Sequence, residues 1–276
     1  MTTFAENALL SLMTINRNAH RDANQPRSPL AENVLFIDGE AIVIDKPAGL
    51  PVDPPRDGSL SLENHLASLT FGFQRWPLAV HRLDRDTSGC LLLARNPKAH
   101  KRFTAAFEAQ LVSKLYVAVL EGVPETESGT IDLALAKISS AEEGWRMAPS
   151  PKGKPARTDW RVLAVRDGRA LVAFTPLTGR THQIRAHCLH GLGFGIVGDP
   201  IYRQDDAPEP RGPLLLHGRM LRVERSGKPP VVATALMPDR FDQGGFADAE
   251  IIVTENIIPA EVGPAEIGPT EIGDAD

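Results

Sequence analysis

The sequence predicts an α+β fold built on a mixed, mainly antiparallel sheet that is flanked by helices. Short apolar runs bounded by turn-forming residues indicate many strands, whereas only two or three segments have the spacing of helices. Asp38-Gly39 and Asp167-Gly168 each lie between two apolar runs, a pattern typical of tight hairpin turns. Hairpins in place of regular strand-helix-strand repeats favour the α+β class.

The predicted strands are short runs rich in Val, Ile, Leu and Phe, interrupted by turn-forming or charged residues. One pair of strands flanks Asp38-Gly39 and another flanks Asp167-Gly168, so each pair is expected to form a hairpin. A charged loop at 81–89 separates two apolar runs, which makes it a candidate site. In chain order, the strands are expected at 34–37, 41–45, 78–80, 90–94, 115–120, 160–165, 170–174 and from 214 onward.

Two helices are predicted from end signals. The first begins at Pro97, because Asn96 is a favourable N-cap and proline is favourable at the first helical position. The second spans 181–189 and is ended by Gly191 and Gly193. The first helix packs one apolar face on the sheet, with residues at intervals of four: Phe103, Phe107 and Leu111.

The chain divides into three parts by composition. Residues 1–31 carry scattered polar residues and prolines and are interpreted as a flexible N-terminal arm. Residues 32–240 hold the main predicted elements and form one folded domain, in which 121–157 is expected to be a loop-rich, partly basic insertion. Residues 241–276 form an acidic tail with a five-residue Pro/Gly repeat, which has too little apolar surface to fold and is expected to be disordered.

The composition is typical of a soluble globular protein, with 42% hydrophobic and 24% charged residues. No apolar run approaches the roughly 20 residues that cross a bilayer, and no signal-peptide pattern is present, so we expect a cytoplasmic protein. Cys90 and Cys188 lie in predicted core segments without metal-ligand spacing. They are expected to be buried thiols.

The net charge of −5 conceals an uneven distribution of charge along the chain. After Arg240 the sequence has nine acidic residues and no Lys or Arg, and without those nine the remainder has 30 basic and 26 acidic residues. The body therefore carries a net charge of +4. This mild excess is compatible with phosphate contacts but is weak support for RNA binding by itself.

Three motifs occur in order along the body: Lys46-Pro47-Ala48-Gly49-Leu50, the charged loop His81-Arg82-Leu83-Asp84, and Thr178-Gly179-Arg180-Thr181-His182-Gln183-Ile184-Arg185. Together they closely resemble the RluA-type RNA pseudouridine synthases, and the resemblance covers roughly residues 34 to 223. It implies the pseudouridine synthase catalytic fold and isomerisation of specific uridines in 23S rRNA, tRNA or both, without a cofactor. We expect a monomer that recognises a compact RNA stem-loop.

The resemblance implies three catalytic residues. Asp84 fills the position of the catalytic aspartate, and Arg185 that of the arginine that pairs with it. A carboxylate suits the reaction because it can attack the anomeric carbon or remove a proton from the neighbouring ribose carbon. Tyr116 corresponds to the tyrosine whose ring stacks on the target uracil. Gly198-Asp199-Pro200-Ile201-Tyr202 matches a structural turn of the family.

The remaining expected site residues would bind RNA. Arg82 matches the arginine that supports the flipped-out nucleotide and the RNA backbone. Arg180 and His182 lie at the start of the predicted helix that carries Arg185. His81 is expected to have a structural hydrogen-bonding role, and Asp86 to be a turn or surface carboxylate. Four further cations in or beside the insertion are assigned to phosphate contacts: Arg146, Lys152, Lys154 and Arg157.

Other functions were weighed against this one. A non-catalytic RNA-binding protein of the same fold is the main alternative, and a glycoside hydrolase using Asp84 would need a second catalytic carboxylate that the motifs do not offer. A metal site at His182, His187 and His190 is disfavoured, because spacings of five and three do not converge on one helix face. The glycines at 191–198 lack the Lys-Ser or Lys-Thr of a phosphate-binding loop.

Overall fold

The computed structural model describes residues 29–140, 144–204 and 212–246. Their centre is a ten-stranded sheet in the spatial order β1-β2-β4-β11-β5-β10-β9-β6, with β3 paired to β4 and β12 to β11. All pairings in this sheet are antiparallel except that of β11 with β4. The predicted α+β class with a mixed, mainly antiparallel sheet is confirmed.

The strands have the following bounds. They are β1 Val34–Ile37, β2 Ala41–Lys46, β3 Leu78–Ala79, β4 Ser88–Ala94, β5 Val112–Leu120, β6 Ser128–Asp132, β7 Leu135–Ser140, β8 Gly144–Pro149, β9 Arg157–Arg166, β10 Arg169–Pro176, β11 Leu216–Arg225 and β12 Lys228–Thr234. The helices are α1 Pro29–Glu32, a 3-10 helix at Leu62–Leu69, α2 Pro97–Glu108, α3 Gln183–Leu192 and α4 Arg240–Gln243.

Both predicted hairpins are present. β1 and β2 pair around Asp38-Gly39, and β9 and β10 pair around Asp167-Gly168. Asp167 and Gly168 have φ values of 50° and 74°, the left-handed conformations that a tight hairpin turn requires. The side chain of Asp38 closes the first turn by accepting hydrogen bonds from the backbone N–H groups of Glu40 and Ala41 at 2.8 and 2.9 Å.

The centre of the sheet brings distant parts of the chain together. β11 lies between β4 and β5 and pairs in parallel with β4, His217 opposite Ser88 and Gly218 opposite Gly89. Gly89 has φ = 111°, and a Cβ there would lie 2.2 Å from the Gly218 carbonyl oxygen. This close approach requires glycine at position 89. It fixes the start of β4, directly after the charged loop, against β11.

The two predicted helices form, with shifted ends. Asn96 caps α2 by accepting a hydrogen bond from the Ala99 N–H at 2.9 Å, and Phe103 is buried against the sheet. Leu111 was expected on the apolar face of this helix, which is wrong: it lies beyond the helix end and is 57% exposed. α3 begins later than predicted, at Gln183, and ends at Gly193, whose φ of 79° suits glycine.

Residues 121–157 are not the loop-rich insertion that was expected. β6 pairs with β9 at the edge of the main sheet, and β7 and β8 form a separate two-stranded hairpin. The β6 burial pattern explains the error, because four of its five residues are exposed and its apolar alternation is weak. Main-chain pairing, which leaves little signal in the sequence, forms these strands.

The body also extends further at both ends than was predicted. Leu30 packs into the core beside the 3-10 helix, although 1–31 was assigned to the arm. Phe241 and Phe246 are fully buried against β5 and β10, so the boundary drawn at 240 is wrong by six residues. The rest of the expected arm and tail, residues 1–28 and 247–276, lie outside the described residues. No helix in the described part is long and apolar enough to span a membrane.

Candidate active site

The charged loop carries Asp84 into a cavity of about 400 Å³ between the ends of β3, β5 and α3. Leu83 is buried in the core, so the neighbouring Asp84 turns towards the cavity, where its side chain remains 18% exposed. The Thr87 N–H donates to the Asp84 carbonyl oxygen at 3.2 Å and closes the loop into a turn. The turn leads directly into β4.

Lys46 anchors the charged loop by hydrogen bonds to backbone carbonyl groups. Its side chain is fully buried, and its ammonium donates to the carbonyl oxygens of Pro47, Leu50 and Arg85 at 2.8, 2.9 and 3.0 Å. The Gly49 N–H donates to the same Arg85 carbonyl at 2.9 Å. Burial lowers the pKa of Lys46 to about 7. Lys46 of the first motif therefore fixes the backbone at Arg85, one residue after Asp84.

Arg185 is held in place by a buried carboxylate. Its Nε and Nη2 donate to the two oxygens of Asp199 at 2.7 and 2.8 Å, a bidentate pair. The Asp199 side chain has no exposed surface, and its Oδ1 also accepts the N–H groups of Ile201 and Tyr202. Despite the opposing effect of burial, its ionic partners Asp199 and Asp84 raise the pKa of Arg185. This guanidinium is permanently charged and has little freedom to move.

The third nitrogen of Arg185 faces Asp84. Nη1 lies 3.4 Å from Asp84 Oδ2, a long contact compared with the two bonds to Asp199. Arg185 is 5% exposed as a residue, so the pair is largely shielded from solvent. The contact orients the Asp84 carboxylate towards the guanidinium, and within the described residues that carboxylate accepts no shorter hydrogen bond.

His182 completes the surroundings of Asp84. Its Nε2 lies 3.9 Å from Asp84 Oδ1, and its Nδ1 lies 3.1 Å from the Tyr202 hydroxyl. That hydroxyl also accepts the Met147 N–H at 2.8 Å, so it links the His182 ring to the backbone of β8. Burial lowers the pKa of His182, and the ring is neutral at neutral pH.

Tyr116 lies in β5 on the cavity wall and packs between two core clusters. Burial raises the pKa of its hydroxyl, and the charge of Asp84 adds to the effect. The phenol is therefore neutral at any physiological pH. An aromatic face, a charged carboxylate and a fixed guanidinium thus line one cavity, as the sequence predicted for Asp84, Tyr116 and Arg185.

The expected RNA-binding residues divide into two groups. Arg82, Arg180 and His182 line the cavity with the three residues above. Arg82 is exposed and pairs with Asp53 at 2.7 Å, and Arg180 donates through Nε to the Pro155 carbonyl at 2.9 Å. The others lie outside the cavity lining, on β8 and the segment that leads into β9: Arg146, which is partly buried, and the exposed Lys152, Lys154 and Arg157.

The remaining histidines serve the structure. His187 places Nδ1 2.9 Å from the Thr158 hydroxyl and Nε2 3.2 Å from the Leu133 carbonyl, so both ring nitrogens are occupied. His81 accepts the Leu92 N–H at 3.0 Å and stacks on Phe107, as expected for a structural histidine. Within the described ranges, no three His, Cys, Asp or Glu side chains are placed to hold a metal ion. Cys90 and Cys188 are buried free thiols.

Sequence reasoning missed several residues of this site. Asp199 was treated only as part of a turn, yet it orients Arg185. Trp145 stacks on His182 at a centroid distance of 4.9 Å and joins the β7–β8 hairpin to the site. Lys114 also lines the cavity and was given no role. The signal for Asp199 was the turn motif itself, because an acidic residue within a turn can pair with a cation elsewhere in the fold.

Comparisons with known proteins agree with this geometry. Residues 40–190 match the family model described as RNA pseudouridylate synthase. The chain belongs to the RNA pseudouridine synthase family. It is 58% identical over 217 residues to an uncharacterized RNA pseudouridine synthase of Zymomonas mobilis, covering 79% of this chain and 99% of that one. It is 36% identical over 209 residues to the dual-specificity RNA pseudouridine synthase RluA of Escherichia coli K12, covering 72% and 90%.

Solved structures support the same assignment. Human RNA pseudouridylate synthase domain containing 4 superposes with a TM-score of 0.66 at 26% identity, covering 77% of this chain and 91% of that chain. Human RNA pseudouridylate synthase domain containing 1 gives 0.64 at 29% identity, covering 79% and 87%. The fold is that of the pseudouridine synthases, and the protein is an isomerase of the RluA type that acts on RNA.

Proposed function

We propose that this pseudouridine synthase uses Asp84 as its catalytic carboxylate. The observation that carries the proposal is the position of Asp84, in a cavity beside an aromatic ring and 3.4 Å from an arginine that is itself fixed by Asp199. The carboxylate faces the cavity and is free to approach a ribose. It can either attack the anomeric carbon or remove a proton from the adjacent ribose carbon.

Tyr116 and Arg185 support that reaction in different ways. The ring of Tyr116 stacks on the uracil after the nucleotide has left its helix, and so retains the base while the glycosidic bond is open. Arg185 orients Asp84 and places a fixed positive charge beside its carboxylate. Arg82 and Arg180 contact the RNA backbone at the cavity mouth.

The substrate is an RNA stem-loop from 23S rRNA, tRNA or both. Loop uridines cost least to unstack, and the described body has no separate RNA-binding domain to recognise a larger structure. The name of the Escherichia coli relative records dual specificity for that protein, and we extend the possibility of two RNA classes to this chain.

The decisive experiment is Asp84→Asn. The change keeps the shape of the side chain and removes the charge, so the variant should bind RNA as the wild type does and form no pseudouridine. Quantifying pseudouridine in 23S rRNA and tRNA treated with each protein measures the effect, and unchanged melting shows that the fold is intact. Turnover by Asp84→Asn well above the no-enzyme level would exclude this carboxylate. Release of free uracil by the wild type would instead indicate a hydrolase.

A further inference from the structure

Lys114 is a cation in the cavity wall that has no partner among the described residues. It lies in β5 two positions before Tyr116, and residues two apart on a strand point to the same face. Both side chains line the cavity. In the described ranges the Lys114 ammonium makes neither a hydrogen bond nor an ion pair, in contrast to that of Lys46, which donates three hydrogen bonds.

The surroundings of Lys114 offer it no compensating anion. Its neighbours along the cavity wall include Phe107, Gln110 and His81, and the ring of His81 is neutral because burial lowers its pKa to about 3. Asp84 and Glu108 line the same cavity, but neither forms an ion pair with Lys114. Asp84 faces Arg185, and Glu108 is exposed at the end of α2. Burial alone lowers the pKa of Lys114 to about 8. A shielded ammonium without a carboxylate is unfavourable in the free protein.

We propose that Lys114 binds a phosphate oxygen of the RNA next to the flipped-out nucleotide and so positions that nucleotide over Tyr116. This inference rests on the proposed function, since it assumes that RNA enters this cavity. RNA supplies anions at its phosphates, whereas the oxygens of an intact uracil are neutral. A compact ammonium suits a phosphate oxygen, and the charge missing around Lys114 in the free protein is then supplied by the substrate.

The proposal gives Lys114 a different role from the exposed cations that follow β8, which are Lys152, Lys154 and Arg157. Those cations are solvated and can meet any phosphate on the RNA surface. Lys114 lies in the wall beside Tyr116, so it can reach a phosphate only when a nucleotide has entered the cavity. Its contribution to binding should therefore depend on one particular phosphate of the substrate.

The test uses Lys114→Met, with Lys101→Met on the exposed face of α2 as the matched control. Binding is measured in the Asp84→Asn background, so that no product forms, to tRNA and to a 23S rRNA stem-loop over a range of salt concentrations. Lys114→Met should weaken binding about 10- to 100-fold at low salt. It should also reduce the slope of log affinity against log salt by about one, while the control changes neither.

A second arm locates the contact. Methylphosphonate groups, which are neutral, replace the phosphates on either side of the target uridine one at a time. One replacement should weaken binding to the protein with Lys114 intact and have no further effect on Lys114→Met. If no single replacement shows this coupling, or if Lys114→Met lowers kcat while leaving binding and its salt slope unchanged, the phosphate assignment is wrong.

Two further readouts exclude a purely structural lysine. Because the pKa of Lys114 is lowered below its ordinary value, its charge destabilises the folded protein at pH 7, and this effect fades as the pH rises from about 8 towards 10.5. Lys114→Met should therefore raise the melting temperature at pH 7, and a fall would contradict the proposal. RNA affinity should decrease between pH 7 and 9 for lysine at 114 but remain constant for Lys114→Arg.

The proposed function can fail separately. If the wild type forms no pseudouridine in any RNA but the binding arms behave as stated, the phosphate contact stands and the catalytic assignment falls. If pseudouridine forms normally in Lys114→Met with unchanged affinity, the catalytic assignment stands and the phosphate contact is wrong.

Discussion

The cavity and the neighbouring basic segment hold their charges in opposite ways. In the cavity, Arg185 is buried, makes two short bonds to Asp199 and keeps a third nitrogen towards Asp84. On the segment that leads into β9, the side chains of Lys152, Lys154 and Arg157 are exposed. This difference fits the proposed function, because bond-making chemistry requires a fixed charge, whereas attraction of a flexible polyanion does not.

The largest effect on activity and stability should follow from removing Arg185, which pairs with the buried Asp199. Arg185→Met leaves Asp199 buried without its cation and Asp84 without its partner, and a broken buried pair costs about 3–5 kcal/mol. We expect loss of most activity together with a clear fall in the free energy of unfolding. Denaturant titration and pseudouridine formation measure the two effects.

Arg169→Met is the matched control for that experiment. Arg169 pairs with Glu121 at 2.9 Å on the surface, where both side chains are more than 40% exposed, so its loss should cost about 0–1 kcal/mol and no activity. Equal losses of stability in the two variants would mean that the buried pair is not the stronger one. Normal turnover by Arg185→Met would show that Arg185 is not required for catalysis.

Substitutions of Tyr116 test whether its ring stacks on the base or its hydroxyl takes part in proton transfer. Tyr116→Phe keeps the ring and should retain RNA binding with at least slow turnover, whereas Tyr116→Ala should lose about 1–3 kcal/mol of stacking. Binding constants and single-turnover rates separate the two effects. If Phe binds normally but is inactive, the hydroxyl takes part in proton transfer. If Phe and Ala behave alike, Tyr116 does not stack on the base.

A smaller and less specific effect is expected on the basic segment. Replacing Arg146, Lys152, Lys154 and Arg157 by neutral residues should weaken binding to every RNA by a similar factor and flatten its salt dependence. The slope of log affinity against log salt should fall by up to about three to four. The rate at saturating RNA should remain near that of the wild type. A selective loss for one RNA class would instead assign sequence or shape recognition to this segment.

The smallest effect should come from removing the residues that follow Phe246. Removing 247–276 should leave the melting temperature and turnover unchanged, because the repeat has too little apolar surface to offset the entropy of ordering. Phe246→Ala in the full chain should instead cost about 3 kcal/mol, since that side chain is fully buried. A large fall in melting temperature on truncation would mean that the tail packs on the body.

Local signals in the sequence predicted much of the fold. Asp38-Gly39, Asp167-Gly168 and the Asn96 cap act through their own backbone, so their structures follow from neighbouring residues. The resemblance to the RluA-type synthases also predicted that Asp84, Tyr116 and Arg185 belong to one site, and all three line one cavity. β6 and the β7–β8 hairpin were missed because they depend on pairing with residues that local apolar alternation does not reveal.

The missed site residues share the same cause. Asp199 orients Arg185 across fourteen positions of sequence, and Trp145 reaches His182 from a separate hairpin. Lys114 has the features of an ordinary strand lysine until the structure places it in the cavity wall, where no carboxylate of the described residues pairs with it. These properties belong to pairs of residues in three dimensions, and composition and spacing carry no record of them.

The insertion of β11 between β4 and β5 has a consequence for synthesis of the protein. These two strands lie close in sequence, at 88–94 and 112–120, but cannot join until residues 216–225 have left the ribosome. Until then their facing edges lack partners, and long-range pairing of this kind folds slowly. The nascent chain therefore completes its active site only after residues 216–225 have been synthesised, and until then its unpaired strand edges favour aggregation.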